Sequence, residues 1–315
     1  MSTLAHVYTI EHLRNWNTAT ALISPPIRLA VIGDPVAHSA SPPMHTAALE
    51  ACGIQCSYVR LHIRPEELTE AIPLLVKHNF IGVNLTIPHK AAVIPLLEEI
   101  TPKARTLGVV NTVAIKNGVT FGHNTDGEGL ARAIQSDFQT RLGDLHPLIL
   151  GAGGGAGRAI AIQCLWEGCR RIVLVNRTRS KVDELAAELR ELSLTLKQGP
   201  SPEIIALTFD DPQLEGHSKS ASLILQCTSL GMKEGDPSPL PAEFLHKEHF
   251  VYDTIYSKHT QLLKDAETKG AKTAHGLSML LHQGALAFQI WFPDQTAPVA
   301  LMESALRNAT RTTQL

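Results

Sequence analysis

Residues 148–178 read LILGAGGGAGRAIAIQCLWEGCRRIVLVNRT, and no other stretch limits the possible folds as much. Leu148, Ile149 and Leu150 form an apolar run that stops at glycine, the pattern of a strand buried on both faces of a parallel sheet. A cluster of Gly151, Gly153, Gly154, Gly155 and Gly157 follows at once. Arg158 to Trp166 reads as a helix with Ile160, Cys164 and Leu165 on its apolar side, and Gly168 stops it. Arg171 to Val175 is a second, β-branched strand. Strand, glycine turn, helix and strand make the first half of a dinucleotide-binding unit.

A pyrophosphate needs backbone N–H donors close to it. Glycine lets the main chain approach without a Cβ in the way, and a helix N-terminus adds free donors and a positive dipole end. The glycine turn is therefore the expected place for the phosphates. Gly151, Gly153 and Ala156 satisfy G-x-G-x-x-A, although the surplus of glycine leaves the register open by one. The end of the second strand selects the cofactor. An acid there would bond the adenosine ribose and repel a 2′-phosphate. This chain has Asn176, Arg177 and Thr178 instead, followed by Arg179 and Lys181. A guanidinium pairs with phosphate and stacks on adenine, so NADP is favoured over NAD.

The length of 315 residues suggests two domains. A net charge of −2 gives no general pull toward nucleic acid or a membrane surface. The five cysteines are scattered without a C-x-x-C pair, which argues against a disulfide scaffold or zinc ribbon. No metal is expected. Arg14 is the one strong cation before residue 28 and no apolar core run accompanies it, so no signal peptide is expected. No apolar run approaches the ~20 residues that span a bilayer. The expectation is a soluble, cytoplasmic protein with a small-molecule substrate.

Before the glycine turn, strands and helices alternate, which implies a first α/β domain of its own. Leu4 to Ala21 reads as a short helix in a leader ending at Ser24-Pro25-Pro26. Arg28 to Ile32 is a strand. Ser41 is placed to cap a helix starting at Pro42 or Pro43. Ser39 is then surplus, and the two serines form a small anion cup. Strands are expected over Ser57–Ile63, Ile81–Ile87 and Gly108–Ile115, and helices over Glu66–His78, Ala91–Glu99 and Glu128–Phe138. Asn84 and Thr86 lie on one face of an otherwise apolar strand, where a polar ligand is plausible. Asn117-Gly118 signals a hairpin turn. Further on, Lys181–Leu192 is an amphipathic helix, residues 197–221 resist organisation, and Leu277–Trp291 is a long apolar helix carrying Gln283.

Several ordered strings make the chain resemble the shikimate dehydrogenases, including their quinate-using relatives. These are His38-Ser39-Ala40-Ser41-Pro42, Asn84-Leu85-Thr86-Ile87-Pro88-His89-Lys90, Val110-Asn111-Thr112 and Asn124-Thr125-Asp126-Gly127. The series continues with Gly151-Ala152-Gly153-Gly154, Asn176-Arg177-Thr178, Thr228-Ser229, Tyr252-Asp253 and Gly276-Leu277-Ser278-Met279-Leu280. The resemblance implies an α/β protein of two domains. A substrate domain would comprise residues 1–126 and 277–315, and a Rossmann-type NADP domain residues 127–276, with the C-terminal helices returning to the first.

The same resemblance implies residue roles. Ser39 and Ser41 would bind the substrate carboxylate, and Lys90 and Asp126 would be the catalytic pair. Thr86, Asn111, Tyr256 and Gln283 would be further substrate contacts. Gly151, Ala152, Gly153, Gly154, Gly155 and Ala156 would cradle the pyrophosphate, and Asn176, Arg177 and Thr178 would meet the 2′-phosphate, with Lys181 nearby where some members have arginine. Thr228 and Gly276 would lie near the nicotinamide. The implied reaction is the NADP-dependent, reversible reduction of 3-dehydroshikimate to shikimate, a step toward chorismate and the aromatic amino acids. Quinate as the main substrate and a non-catalytic nucleotide sensor are the alternatives. Retention of Lys90 and Asp126 argues against the sensor. A methylenetetrahydrofolate dehydrogenase on the same plan is disfavoured by the Ser-x-Ser cup and the Asn-Thr-Asp string. A monomer or homodimer is expected. The chain departs from the family at Gln226-Cys227, where Asn-Ala is common, at His275, and in a glycine loop one residue longer than usual.

Overall fold

The computed structural model describes residues 6–196 and 201–312. Two compact units result, one built from residues up to Asp126 together with those from Leu281 onward, the other from Gly127–Leu280.

The first unit begins with β1 (Val7–Thr9), α1 (Ile10–Arg14), α2 (Trp16–Ala19), β2 (Ile27–Gly33), α3 (Ser41–Ala51) and β3 (Ser57–His62). It continues with α4 (Leu68–Lys77), β4 (Gly82–Leu85), α5 (His89–Ala92), β5 (Glu99–Ile100), α6 (Pro102–Leu107), β6 (Thr112–Lys116) and β7 (Val119–His123). Its sheet runs β1-β3-β2-β4-β6-β7-β5. The first four strands are parallel, and β6 is antiparallel to both of its neighbours. Asn117 (φ 53°) and Gly118 (φ 82°) join β6 to β7, two positive φ values in a row as a tight hairpin requires.

The leader differs from its expected helix. Among its described residues, Val7–Thr9 pairs in parallel with Arg60–His62 at the sheet edge, and two short helices follow. Val7, Tyr8 and Thr9 suit an extended backbone, and β3 offers unsatisfied ladder groups. Tyr8, Ile10, Leu13 and Trp16 are buried in the core cluster of this unit. The helix expected over Ala91–Glu99 also breaks up. Its α-helical part ends at Ala92, a single 3₁₀ turn spans Ile94–Leu96, and Glu99–Ile100 pairs with β7. Pro95 disfavours helical backbone at the residue before it.

The chain passes into the second unit at the start of α7 (Asp126–Phe138), and β8 (Pro147–Leu150), α8 (Gly155–Trp166), β9 (Arg171–Val175), α9 (Arg179–Leu196) and β10 (Glu203–Leu207) follow. Then come α10 (Leu214–Ser220), β11 (Leu223–Gln226), β12 (Phe250–Asp253), α11 (Gln261–Thr268) and β13 (Lys272–His275). All six strands are parallel in the order β10-β9-β8-β11-β12-β13. Counted from β8 this is 3-2-1-4-5-6, the doubly wound order, with its crevice outside the carboxyl ends of β8 and β11. Within the stretch that resisted organisation lie β10 and α10; residues 197–200 fall outside the described residues.

Helix α12 (Leu277–Trp291) carries the chain back into the first unit, where α13 (Val299–Thr312) packs on α3. Trp291 donates from Nε1 to the Val113 carbonyl at 3.0 Å, and its ring fills the space where Gly82 lacks a Cβ. None of the described helices is long and apolar enough to cross a membrane.

One buried base makes stability depend on pH. His45 of α3 is fully buried, its ring stacked on Tyr58 at 4.4 Å, and neither nitrogen meets hydrogen-bond geometry with a described residue. Burial pushes its pKa down to about 3. A free imidazole titrates near ~6.5, so between the two values the unfolded chain binds a proton that the fold does not. Stability therefore rises with pH across that window, by up to about 1.4 kcal/mol per pH unit. Burial of His249, whose pKa falls to about 4, adds in the same sense. Urea unfolding of His45→Gln near pH 4.5 and near pH 7 should show a flatter dependence than the parent chain. Equal slopes would reject the account.

Candidate active site

In the first unit, Thr86 directly follows β4 and Lys90 is the second residue of α5. His89 is buried and shares a 2.7 Å hydrogen bond through Nε2 with the Ile63 carbonyl, which fixes the short helix α5 against the end of β3. The Lys90 carbonyl accepts from Val110 N–H at 2.8 Å. Its ammonium leaves the helix and meets Asp126 Oδ2 at 2.7 Å, with the two side chains 32% and 20% exposed. Such a pair is shielded from bulk water yet open on one side.

Asp126 is the first residue of α7, where a capping role competes with chemistry. As the first helical residue, Asp126 lies inside the cap position. Asn124 Oδ1 accepts from Asp126 N–H at 3.1 Å, and Asn124 Nδ2 holds the Val109 carbonyl at 3.1 Å. The Asp126 carboxylate is thus left to Lys90 and to Asn111 Nδ2, which donates to Oδ1 at 2.8 Å. Asn111 is buried; its Nδ2 also lies 2.9 Å from Thr125 Oγ1 and 3.3 Å from Gln283 Oε1. Its Oδ1 accepts from Thr125 N–H at 2.8 Å. Lys90, Asp126, Asn111 and Gln283 are therefore one connected group.

The serine pair sits where β2 leads into α3. Helix α3 starts at Ser41, ahead of the expected start at Pro42 or Pro43 by one or two residues, and Ala40 is its N-cap. Capping by Ser41 is therefore corrected. Ser39 Oγ accepts from Ser41 N–H at 3.3 Å, while the Ser41 hydroxyl, in a buried residue, takes no part in capping. Thr86 is half-buried beside Gly33, where a Cβ would meet its methyl group. Asn84 does not face a ligand. It is enclosed, accepting from Tyr58 O–H at 2.8 Å and donating to Thr112 Oγ1 at 3.1 Å.

In the second unit, a cavity of about 630 Å³ opens at the carboxyl ends of β8, β9 and β11. Gly151, Gly153, Gly154, Asn176, Arg177, Thr178, Lys181 and Thr228 all line it. Gly151 has φ +84°, the tight turn after the strand. A Cβ on Gly153 would come within 2.7 Å of Asn176 and 2.9 Å of Lys181. The third glycine role, close helix-to-strand approach, falls to Gly157, where a Cβ would overlap the Gly151 carbonyl oxygen. Ala156 does not serve it; Gly155 and Ala156 are exposed in the first turn of α8. This places the extra loop residue between the second and third glycines. Ala152 is fully buried and not on the cavity wall. Gly276 is not there either. Its lack of a Cβ admits the Thr254 carbonyl.

The cavity residues fit a dinucleotide. The glycine turn is bare where a Cβ would intrude, and the first turn of α8 presents N–H groups with no intrahelical partner. Arg179 is claimed by Asp183 at 3.0 Å and by Asp211 at 3.9 Å. Arg177 and Lys181 are exposed on the cavity wall, and no carboxylate among the described residues pairs with either. These two cations suit a 2′-phosphate.

Two residues without an expected role shape the same cavity. Gln226 is fully buried and donates from Nε2 to Thr228 Oγ1 and the Leu230 carbonyl, each at 2.9 Å, while Oε1 accepts from Thr228 N–H at 3.0 Å. It holds the 227–230 loop in place, and its departure from the family's asparagine was the signal. Phe209 adds an aromatic wall near Asn176 and Arg177. Tyr256 is half-buried on the loop after β12, and burial raises its pKa. The buried Asp253 organises that loop by accepting from Thr260 O–H at 2.7 Å and Ile255 N–H at 2.9 Å.

Comparison with known proteins agrees across both units. The family profile of the shikimate dehydrogenase substrate binding domain matches residues 31–113, and that of the shikimate 5′-dehydrogenase C-terminal domain matches residues 276–307. A shikimate dehydrogenase (NADP(+)) from Desulforamulus reducens is 38% identical over 279 residues, covering 88% of this chain and 93% of the relative. The crystal structure of shikimate dehydrogenase from Aquifex aeolicus superposes with a TM-score of 0.78 at 34% identity, over 90% of this chain and 98% of that one. The Thermus thermophilus shikimate 5-dehydrogenase in complex with NADP(H) and shikimate gives 0.75 at 36% identity, over 90% and 99%. The chain belongs to the shikimate dehydrogenase family.

Proposed function

We propose that this chain is an NADP-dependent shikimate dehydrogenase, reversibly reducing 3-dehydroshikimate to shikimate on the route to chorismate and the aromatic amino acids. One observation carries the reading. The Lys90 ammonium is held 2.7 Å from Asp126 by a carboxylate that Asn111 steadies from its other oxygen.

Gly151, Gly153, Gly154 and the first turn of α8 hold the pyrophosphate, and Arg177 and Lys181 hold the 2′-phosphate. When bound, NADPH supplies the hydride that reduces the ring ketone. The ketone oxygen must then gain one proton, and Lys90 Nζ is the group placed to give it in reduction and to take it back in oxidation. Asp126 accepts a hydrogen bond from a neighbouring ring hydroxyl and keeps the ammonium aimed. Ser39 and Ser41 donate to the substrate carboxylate, while Thr86, Asn111, Gln283 and Tyr256 bond the remaining ring oxygens.

Nicotinamide absorbance, followed with shikimate and quinate, each paired with NADP and NAD, tests this. Shikimate with NADP should give the highest kcat/KM. Faster turnover of quinate would move the assignment to the quinate-using relatives, and no turnover of either would reject it.

A further inference from the structure

One face of β3 ties the two ends of the substrate site together. Tyr58 and Arg60 are two residues apart on that strand and so share a face. Arg60 donates to the Ser39 carbonyl from Nη2 at 2.6 Å and from Nε at 3.2 Å. A guanidinium directed at a neutral carbonyl fixes geometry; here it fixes the turn that presents Ser39. The Tyr58 ring, 1% exposed, stacks on His45 with only 11° between the planes. His45 belongs to α3, the helix that begins at Ser41, and the Ser41 side chain tempers the rise that burial imposes on the Tyr58 pKa.

From the Tyr58 oxygen a buried chain runs to the proton-transfer pair. Tyr58 O–H donates to Asn84 Oδ1 at 2.8 Å, and Asn84 Nδ2 donates to Thr112 Oγ1 at 3.1 Å. Thr112 O–H donates to Asn111 Oδ1 at 3.1 Å, and Asn111 Nδ2 reaches Asp126 at 2.8 Å. Asn84 and Thr112 are almost wholly shut off from water, so no solvent molecule readily replaces a lost link.

We infer that Tyr58 and Arg60 are positioning residues, which set the spacing between the two-serine cup and the Lys90–Asp126 pair. They thereby make catalysis depend on a carboxylate anchored at the far side of the ring. This rests on the function proposed above. Neither residue is asked to touch substrate. Arg60 acts through Ser39, and Tyr58 through Ser41 and the buried chain to Asp126.

The test compares shikimate with its methyl ester, which keeps the ring hydroxyls and loses the anion. Tyr58→Phe keeps the ring stack and removes one hydroxyl; Arg60→Met removes the grip on Ser39. A displacement of about 1 Å costs as much as 10²-fold in rate, so kcat/KM for shikimate should fall roughly 10- to 100-fold in either variant. The ester, having no carboxylate to anchor, should lose less than about threefold, and NADP affinity should hold. Arg60→Lys, which keeps a donor, should recover part of the loss and guards against a variant that fails to fold. Equal losses on the two substrates, or none on shikimate, would overturn the inference. Absence of shikimate turnover in the parent chain would instead reject the proposed function, so the two failures are distinguishable.

Discussion

Lys90→Ala is expected to lose about 10²- to 10⁴-fold in kcat, the range that a positioned proton donor contributes. Its ammonium has one partner among the described residues, Asp126, and no role in the core. Removing it leaves Asp126 with Asn111 and leaves α5 anchored through His89. The fold should persist. NADP affinity, read by fluorescence titration, should be unchanged, since the glycine turn belongs to the other unit. Lys90→Met, closer in shape, should fall as far as the alanine variant, because the loss is chemical rather than steric. An unaltered kcat in either would remove Lys90 from the reaction.

The second large effect concerns cofactor choice. Arg177 and Lys181 stand on the cavity wall without a carboxylate partner, whereas Arg179 is already committed to Asp183 and Asp211. A hydrogen bond to a charged group contributes about 1.5–3 kcal/mol, and each 1.4 kcal/mol is a factor of ten. Both side chains are exposed, so solvent screening favours the lower end. The double variant Arg177→Ser, Lys181→Ala should therefore lose about 10²-fold in kcat/KM for NADP. For NAD, which has no 2′-phosphate, the change should stay within about threefold. Arg179→Ala is the internal control and should leave the NADP-to-NAD ratio unmoved. A ratio that falls with Arg179 and not with the pair would relocate the phosphate site.

The nucleotide unit could be read from the sequence because its signals are local. Leu148–Leu150 is apolar through and through, and glycine follows at once, so strand and turn declare themselves within a few residues. What escaped was settled by distant partners. Val7–Thr9 is a strand because Arg60–His62 is there to receive it, some fifty residues later. The third glycine role went to Gly157 over Ala156 because of a backbone contact with Gly151 that no spacing rule encodes. At the candidate substrate site, the residue types at 39, 41, 90, 111 and 126 were legible, but their local duties were not. A helix that starts early makes Ser39 the acceptor for the Ser41 N–H, and Asn124 accepts the N–H of Asp126. Tyr58 and Arg60 read as ordinary strand residues, since their partners lie on separate elements.

The return of α12 and α13 to the first unit has a consequence for synthesis on the ribosome. Domains generally mature in the order they emerge. Here the lobe that emerges first still lacks Trp291 against Gly82, α13 on α3 and Gln283 beside Asn111. Those pieces are translated only after all of Gly127–Leu280. The later lobe can close while the earlier one waits with an unfilled seam, so the growing polypeptide finishes its beginning last.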